Sequence, residues 1–332
     1  MQSQNKPPFE GLINLASPHL GTRAVSASDE FFAPAARMLQ DSEPVFRPDV
    51  FDEHGKWMDG WETRRRRGGG DFDEAIIRLG APGEIEYADL DARHFTGNFP
   101  PAAQLCGSAE TPDGNETWLP LIEKTELRGD SQNLFETRQT GAVNWVRLRI
   151  YPDGGIARLR LYGKVRPNWD NFARGEIIEL SSLQNGGRIV AYNDAHYGNV
   201  HALISIRNSE NMGDGWETRR RRDPGHDWII VALGGAGNVR GAVVDTAHFR
   251  GNYPEFCSLQ GARLAPDADA DSLVLDADSW DEIIPKTKLE ANRLHRFGQN
   301  EIANDAPINY VRLNIYPDGG VARLRIFGAL SE

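Results

Sequence analysis

The clearest pattern of hydrophobic and polar positions lies in two related segments, residues 144–163 and 309–328. In the first, apolar residues alternate with arginines up to a Pro-Asp-Gly-Gly sequence, and the same alternation resumes after it. A period of two is typical of a strand with one buried face. Because Pro, Asp and Gly favour tight turns, each segment is predicted to fold as a β-hairpin. Its arginines are expected on the outer face, either solvated or paired with acids on neighbouring strands.

The rest of the chain also favours strands over helices. Short apolar runs at residues 75–80 and 229–234 predict two further strands. Residues 30–39 allow a turn or two of helix at most, because Pro34 interrupts them. Many short strands, separated by loops rich in Gly and Pro, predict an all-β protein built from jelly-roll β-sandwiches.

A run of nine residues, Asp-Gly-Trp-Glu-Thr-Arg-Arg-Arg-Arg, occurs at residues 59–67 and again, unchanged, at residues 214–222. Such a repeat marks a duplicated unit, and the similarity extends over most of the chain. We therefore predict two tandem homologous domains, residues 1–166 and 172–332, joined by a polar, Pro-containing linker. Trp is usually buried, so part of each run should point inward and take charged residues with it.

Charge and composition exclude several classes of protein. The chain has 332 residues and a net charge of -11, from 37 Lys and Arg against 48 Asp and Glu. Because acids flank both arginine runs, the sequence argues against nucleic-acid binding. No apolar stretch is long enough for a membrane helix, and residues 1–8 do not resemble a signal peptide. With only two cysteines, we expect a cytoplasmic protein without a disulfide framework.

The residues with candidate chemistry recur at matching positions of the two repeats. His94 and His248 each lie between an acid and an aromatic residue, and an asparagine follows. Asp29 and Asp194 each follow a predicted strand, where a binding loop often begins. Phosphate-loop, nucleophile-elbow and dinucleotide motifs are absent from the sequence.

A metal site is only weakly indicated by the sequence. Asp194 with His196, His226 with Asp227, and His248 are the candidate ligands, but their spacing is not that of a zinc site. Cys106 and Cys257 do not occupy matching positions of the repeats, so a duplicated thiolate site is not expected. We predict no cofactor and no metal ligands, and leave a dependence on divalent metal open.

The two repeats differ after the arginine run. Residues 68–74 are rich in Gly and acids, whereas residues 224–228 read Pro-Gly-His-Asp-Trp, and five of the eight histidines lie in the second repeat. If only one repeat is active, these differences favour the second.

The duplicated nine-residue run, the His-Phe-x-Gly-Asn sequence that follows in each repeat, and Pro-Gly-His-Asp-Trp at 224–228 together resemble the allantoicase family. The resemblance covers nearly the whole chain and departs from the family pattern at residues 68–74. It implies two jelly-roll domains similar to galactose-binding domains. It also implies a homo-oligomer that hydrolyses allantoate to ureidoglycolate and urea in purine and allantoin degradation.

The residues suit that substrate, which carries one carboxylate and two ureido groups on a single carbon. An arginine from either run can bind the carboxylate through two parallel hydrogen bonds, and Asn98 or Asn252 can pair with a ureido group. Because urea is a poor leaving group, a general acid should protonate it, a role for which His248 and Glu217 are candidates. We predict catalytic roles for Asp194, Asp214, Glu217 and His248. We predict substrate binding by Asp59, Glu62, Arg64, His94, Asn98, Arg219, Arg221 and Asn252.

Two other functions remain open from the sequence. Jelly-roll domains often serve as non-catalytic carbohydrate- or ligand-binding modules, and fold alone does not decide between the two. The third possibility is an amidohydrolase that releases ammonia from allantoate. If the second repeat holds the single site, His248→Ala should abolish turnover and His94→Ala should be milder.

Overall fold

The computed structural model describes residues 12–266 and 268–331. The segment 1–8, whose polarity argued against a signal peptide, lies outside the described residues. The chain divides into two compact units, Met1–Arg166 and Pro167–Glu332. The regular elements of each are mainly strands, so the prediction of two repeated all-β jelly-roll units is confirmed.

The first unit places its long strands in one continuous sheet, with the order β1-β12-β6-β10-β7-β8, and β2 and β9 also pair with β6. Its strands are β1 (Ile13–Asn14), β2 (Arg23–Ala27), β3 (Phe51–Asp52), β4 (Gly55–Lys56), β5 (Trp61–Glu62), β6 (Asp73–Asp91), β7 (Ala102–Ser108), β8 (Leu119–Glu126), β9 (Leu134–Glu136), β10 (Val143–Tyr151), β11 (Gly155–Ile156) and β12 (Arg158–Val165).

The second unit repeats this topology in the order β13-β22-β16-β20-β17-β18, with β14 and β19 also on β16. Its strands are β13 (Ile178–Glu179), β14 (Arg188–Tyr192), β15 (Trp216–Glu217), β16 (Asp227–Asp245), β17 (Phe256–Ala262), β18 (Asp281–Lys288), β19 (Leu294–Phe297), β20 (Ile308–Tyr316), β21 (Gly320–Val321) and β22 (Arg323–Leu330).

Helices are short in both units, as expected. One α-helix, α1 (Ala270–Asp276), occurs in the described part of the chain. The segment that was allowed a turn or two forms a 3-10 helix at Ala35–Leu39, directly after Pro34. Further 3-10 turns lie at Pro18–Leu20, Trp169–Asn171, Leu183–Asn185, Val200–Ile204, Ala277–Ser279 and Gln299–Glu301. No helix in the described part of the chain has the length and apolar character needed to cross a membrane.

The predicted closing hairpin is wrong, although both of its strands exist. β10 pairs with the first part of β6 and β12 with the last part, so the two strands do not pair with each other. The Pro-Asp-Gly-Gly turn instead carries the chain from the first part of β6 to its last part. The apolar positions of the alternation are buried as expected, Val146, Leu148 and Leu159 among them, but the intervening Arg158 and Arg160 are buried as well.

The turn also contributes β11, which pairs with β5, the strand formed by Trp61 and Glu62 of the nine-residue run. The second unit makes the same pairing between β21 and β15. Close backbone approach explains the glycine of the run, since a Cβ on Gly60 would lie 2.3 Å from the carbonyl oxygen of Ile156. The run is therefore fixed at one end of each sandwich, beside the loop that follows β6 or β16.

Candidate active site

The tryptophans of the duplicated run anchor it in the core. Trp61 and Trp216 are fully buried, which confirms the prediction that part of the run points inward. Each indole Nε1 donates a 2.8 Å hydrogen bond to a backbone carbonyl, that of Asp29 in the first unit and that of Asp194 in the second. The glutamate that follows each tryptophan is thereby held in a fixed position.

The first arginine of each run pairs with the aspartate that follows β2 or β14. Arg64 Nε lies 2.7 Å from Asp29 Oδ2, and Arg219 Nη2 lies 2.9 Å from Asp194 Oδ1. Burial alone would raise the pKa of Asp29, but hydrogen bonds from the Phe31 and Arg64 amides and from the Arg64 guanidinium outweigh it, so the pKa is lowered. The pKa of Asp194 is lowered in the same way by the Arg219 amide and guanidinium, against the effect of burial.

The third arginine of each run points the other way, toward a buried aspartate. Arg66 Nη2 lies 2.8 Å from Asp73 Oδ1, and Arg221 Nη1 lies 2.7 Å from Asp227 Oδ1. Arg64, Arg219 and Arg221, all predicted to bind substrate, thus hold protein carboxylates.

Asp59 and Asp214 sit at the start of the run, in ion pairs with arginines of the last strand. Asp59 Oδ2 lies 2.7 Å from Arg158 Nη2, and Asp214 Oδ2 lies 3.0 Å from Arg323 Nη2. Arg158 is fully buried, although it was expected on the solvent face. Both arginines also donate to backbone carbonyls, so these pairs join the run to the sheet.

Glu62 and Asn98, both predicted to bind substrate, contact each other and line a cavity. Asn98 Nδ2 donates a 2.6 Å hydrogen bond to Glu62 Oε1, and Asn252 makes the equivalent bond to Glu217. Burial raises the pKa of Glu62; the bond from Asn98 acts in the opposite direction, and the charge of Asp52 adds a smaller increase. A carboxyl group with a raised pKa in a cleft is typical of a general acid.

His94 and His248 share an unusual backbone conformation. Their φ angles are 71° and 70°, a left-handed region that non-glycine residues seldom occupy. The His94 amide donates to Asp130 Oδ1 at 2.8 Å, and the His248 amide donates to Asn292 Oδ1 at 2.8 Å. In each case the ring Nε2 reaches a backbone carbonyl, that of Pro44 at 3.1 Å or that of Ser209 at 2.9 Å. Because a carbonyl only accepts, Nε2 carries the hydrogen in both rings.

Two cavities of the first unit meet at Glu62 and Asn98. The first has a volume of about 470 Å³ and is lined by Phe32, Phe46, Lys56, Met58, Glu62, His94, Thr96, Asn98 and Asp130. The second, of about 500 Å³, shares Phe32, Glu62 and Asn98 and adds Arg65, Arg66 and Asp153 among its lining residues. These volumes suit a small organic ligand, for which pockets of about 300–1,000 Å³ are usual.

Three lining residues, Phe46, Lys56 and Met58, belong to a segment that sequence reasoning missed. Fifteen positions separate Pro44 from Asp59, whereas five separate the equivalent Ser209 from Asp214, so the first unit is ten residues longer here. The extra residues include the β3–β4 hairpin. The spacing between the two repeats would have revealed this segment, because the nine-residue runs fix the alignment.

His226, of the motif specific to the second unit, lies in a separate polar network. Its Nε2 lies 3.1 Å from Asn314 Oδ1, and its ring packs against that of Tyr316 with centroids 4.6 Å apart. Burial lowers the pKa of His226. In the first unit the matching position holds Phe72, which packs beneath Arg149 at 4.2 Å. No three His, Cys, Asp or Glu side chains of the described residues are grouped so as to hold a metal ion.

Fold and site together define a duplicated β-sandwich protein with a hydrogen-bonded Glu–Asn pair in each unit, and in the first unit this pair and His94 line one cavity. The family model described as Allantoicase repeat matches residues 13–166 and 178–331, the two units in turn. The chain therefore belongs to the allantoicase family.

Relatives and solved structures agree with this assignment. The chain is 51% identical to a probable allantoicase of Rhizobium meliloti, with 97% of this chain and 95% of the relative covered. It is 50% identical to a probable allantoicase of Pseudomonas aeruginosa, with 97% of each covered. The crystal structure of allantoicase from Saccharomyces cerevisiae matches with a TM-score of 0.79 at 32% identity, over 96% of this chain and 93% of that one.

Proposed function

We propose that this chain hydrolyses allantoate to ureidoglycolate and urea, and that the reaction takes place beside Glu62 in the first unit. The activity is that of the allantoicase family, a hydrolysis of a carbon–nitrogen bond in allantoin degradation, and the similarity extends over 97% of the chain. The observation that carries the placement is the Glu62–Asn98 pair in the wall of two cavities.

Glu62 has the properties of the proton donor. The reacting carbon of allantoate carries two nitrogens, so one ureido group can leave as urea once its nitrogen is protonated. The raised pKa of Glu62 keeps more of this carboxyl protonated than an ordinary glutamate would be. The lone pair of the remaining ureido nitrogen then stabilises the cationic carbon.

The same residue completes the reaction. After donating its proton, Glu62 is a carboxylate and can take a proton from a water molecule as the hydroxide adds to the cationic carbon. This step yields ureidoglycolate and restores the protonated Glu62. Asn98, already bonded to Glu62 Oε1, offers an amide that can pair with a ureido group of the substrate.

His94 acts as a positioning residue in this proposal. Its Nε2 hydrogen bonds to the carbonyl of Pro44, and its ring stacks with Phe46 at 5.9 Å. Both contacts hold the beginning of the extra segment against the cavity. His248 ties Ser209 in the same way, but no corresponding segment follows it.

A catalytic site in the first unit differs from the expectation based on the sequence, which favours the second. The histidine-rich second unit was favoured, with Asp194, Asp214, Glu217 and His248 as its catalytic residues. Asp194 and Asp214 are held in ion pairs with arginines, and the segment that builds the cavity wall belongs to the first unit. The proposal therefore expects His94→Ala to be more damaging than His248→Ala.

Arg65 supports binding of an anion at this site. It lines the second cavity, and it forms no ion pair with any residue that the structure describes. Its neighbours Arg64 and Arg66 hold Asp29 and Asp73, whereas Arg65 shares the cavity wall with Asp153 and keeps its guanidinium donors for a ligand. In a protein with a net charge of -11, this local charge helps to attract the carboxylate substrate.

The first test is to incubate the purified protein with allantoate and to measure urea and ammonia separately, with and without a chelator. We expect urea without ammonia. Ammonia would instead indicate an amidohydrolase, and a folded protein that releases neither product would favour the ligand-binding module. The chelator arm determines whether a divalent metal is needed. The homo-oligomer and cytoplasmic location implied above stay predictions, the former testable by analytical ultracentrifugation.

A further inference from the structure

The segment that contains the ten extra residues of the first unit has contacts within it and to its surroundings. We call residues 46–57 the insertion segment. The guanidinium group of Arg37, outside the segment, lies 5.2 Å from the ring centroid of Trp57, and that of Arg47, within it, lies at 5.3 Å. Inside the segment the Trp57 amide donates to the carbonyl of Val50 at 3.0 Å, and directly before it the Val45 amide donates to Asp59 Oδ2 at 2.9 Å. These contacts hold the segment in the cavity wall.

Lys56 is the cation that this segment places in the cavity wall. Its Nζ lies 4.4 Å from the centre of the Phe46 ring, which lines the same cavity. Among the residues that the structure describes, Lys56 forms no ion pair. Many other cations of this acidic chain do hold a carboxylate, including Arg64, Arg66 and Lys164. An ammonium on an aromatic face keeps its hydrogen-bond donors for a ligand.

The position of Lys56 relative to Glu62 suits a substrate with a charged and a reacting end. Both residues line the same cavity, and the insertion segment is close enough to Glu62 for Asp52 to affect it electrostatically. Allantoate carries its carboxylate on the carbon at which the C–N bond breaks. A cation that lines the same cavity as the proton donor would therefore hold that carbon in the cavity that Glu62 lines.

We propose that Lys56 is the specificity-determining residue that binds the substrate carboxylate, and that the insertion segment thereby makes the first unit the catalytic one. This inference rests on the proposed function. The second unit retains the Glu217–Asn252 pair and the histidine but has no lysine to match Lys56, because only residues 210–213 lie between Ser209 and Asp214 and none of them is basic. Arg65 has a counterpart in Arg220, so it cannot account for a difference between the units.

The test compares allantoate with its neutral carboxamide, which keeps both ureido groups. The carboxamide is measured as a substrate or, where it is not turned over, as a competitive inhibitor. For Lys56→Met we expect the KM for allantoate to rise roughly 10- to 100-fold, because one charge-assisted hydrogen bond is lost. The KM or inhibition constant of the carboxamide should change little. Lys56→Arg should retain most of the preference for the charged compound.

Lys124→Met is the matched control. Lys124 lies 4.0 Å from the centre of the Tyr151 ring, so it has the same kind of contact and charge but lines a different cavity. It should keep the full preference for allantoate. An unchanged preference in Lys56→Met, or a loss in Arg65→Ala that equals or exceeds it, would overturn the assignment. If the unmodified protein releases no urea from allantoate, the proposed function fails instead.

Discussion

At Glu62, burial and hydrogen bonding act in opposite directions, and burial prevails. Glu62 receives one side-chain hydrogen bond, from Asn98, and its pKa is raised. Asp29 receives three, from the amides of Phe31 and Arg64 and from the Arg64 guanidinium, and its pKa is lowered. Greater burial and fewer donors at Glu62 together explain why the two pKa shifts have opposite signs. A single amide does not replace the hydration that Glu62 loses.

This difference predicts opposite dependences of stability on pH for two variants. The folded-state pKa of Glu62 lies above its ordinary value of 4.5, so its contribution to stability is complete below that pH and is lost as the pH rises. Relative to Glu62→Gln, the unmodified protein should therefore lose stability with rising pH. The folded-state pKa of Asp29 lies below 3.8, so the advantage over Asp29→Asn should instead be lost as the pH falls. Urea denaturation between about pH 4 and pH 8 measures the first trend. A Glu62→Gln difference that does not change with pH would contradict it.

At the scale of single elements, the periodicity of the chain predicted which apolar positions are buried but not which strands pair. Val146 and Leu159 lie in strands whose apolar residues alternate with polar ones as in a β-hairpin, yet these strands pair with different parts of β6. A 19-residue strand whose two parts pair with different strands has the same local pattern as two short ones. The pairing is decided by contacts distant in sequence, which periodicity does not contain.

The sequence also identified candidate site residues without separating those that line the cavity from those that support the fold. The sequence pointed to Glu62, His94 and Asn98 because they recur, and the structure brings them to one cavity. It also pointed to arginines and aspartates that recur because they pair with each other across the fold, as Arg219 does with Asp194. Recurrence marks both kinds of residue equally. Lys56 was missed for the opposite reason, since it does not recur.

Asp59 and Asp214 are expected to stabilise the folded protein. Asp59 and Arg158 form a buried ion pair, and removal of one partner from such a pair costs about 3–5 kcal/mol. Asp59→Asn should therefore lower the free energy of unfolding by about that amount, and Asp214→Asn by less, because Asp214 is more exposed. Urea denaturation measures both. Where Asp214→Asn remains folded it should still release urea; a folded but inactive variant would restore Asp214 as a catalytic residue.

At the scale of the whole molecule, duplication has produced two similar units that differ beside the same pair of side chains. Both place a Glu and an Asn in contact, and both bring a His to a neighbouring carbonyl. The first unit alone inserts residues that form a cavity wall there. We interpret the Glu–Asn pair as an ancestral feature of the fold and the insertion segment as the feature that makes one copy catalytic.

The measurement that tests this account most directly is urea release from allantoate by Glu62→Gln and Glu217→Gln, made in separate proteins and assayed side by side. Loss of a general acid costs about 10²- to 10⁴-fold in rate, so Glu62→Gln should lose nearly all activity. Glu217→Gln should stay within a few-fold of the unmodified protein. Two equivalent and independent sites would instead leave each variant with about half of the turnover. That result, or a greater loss in Glu217→Gln, would contradict a single site at Glu62.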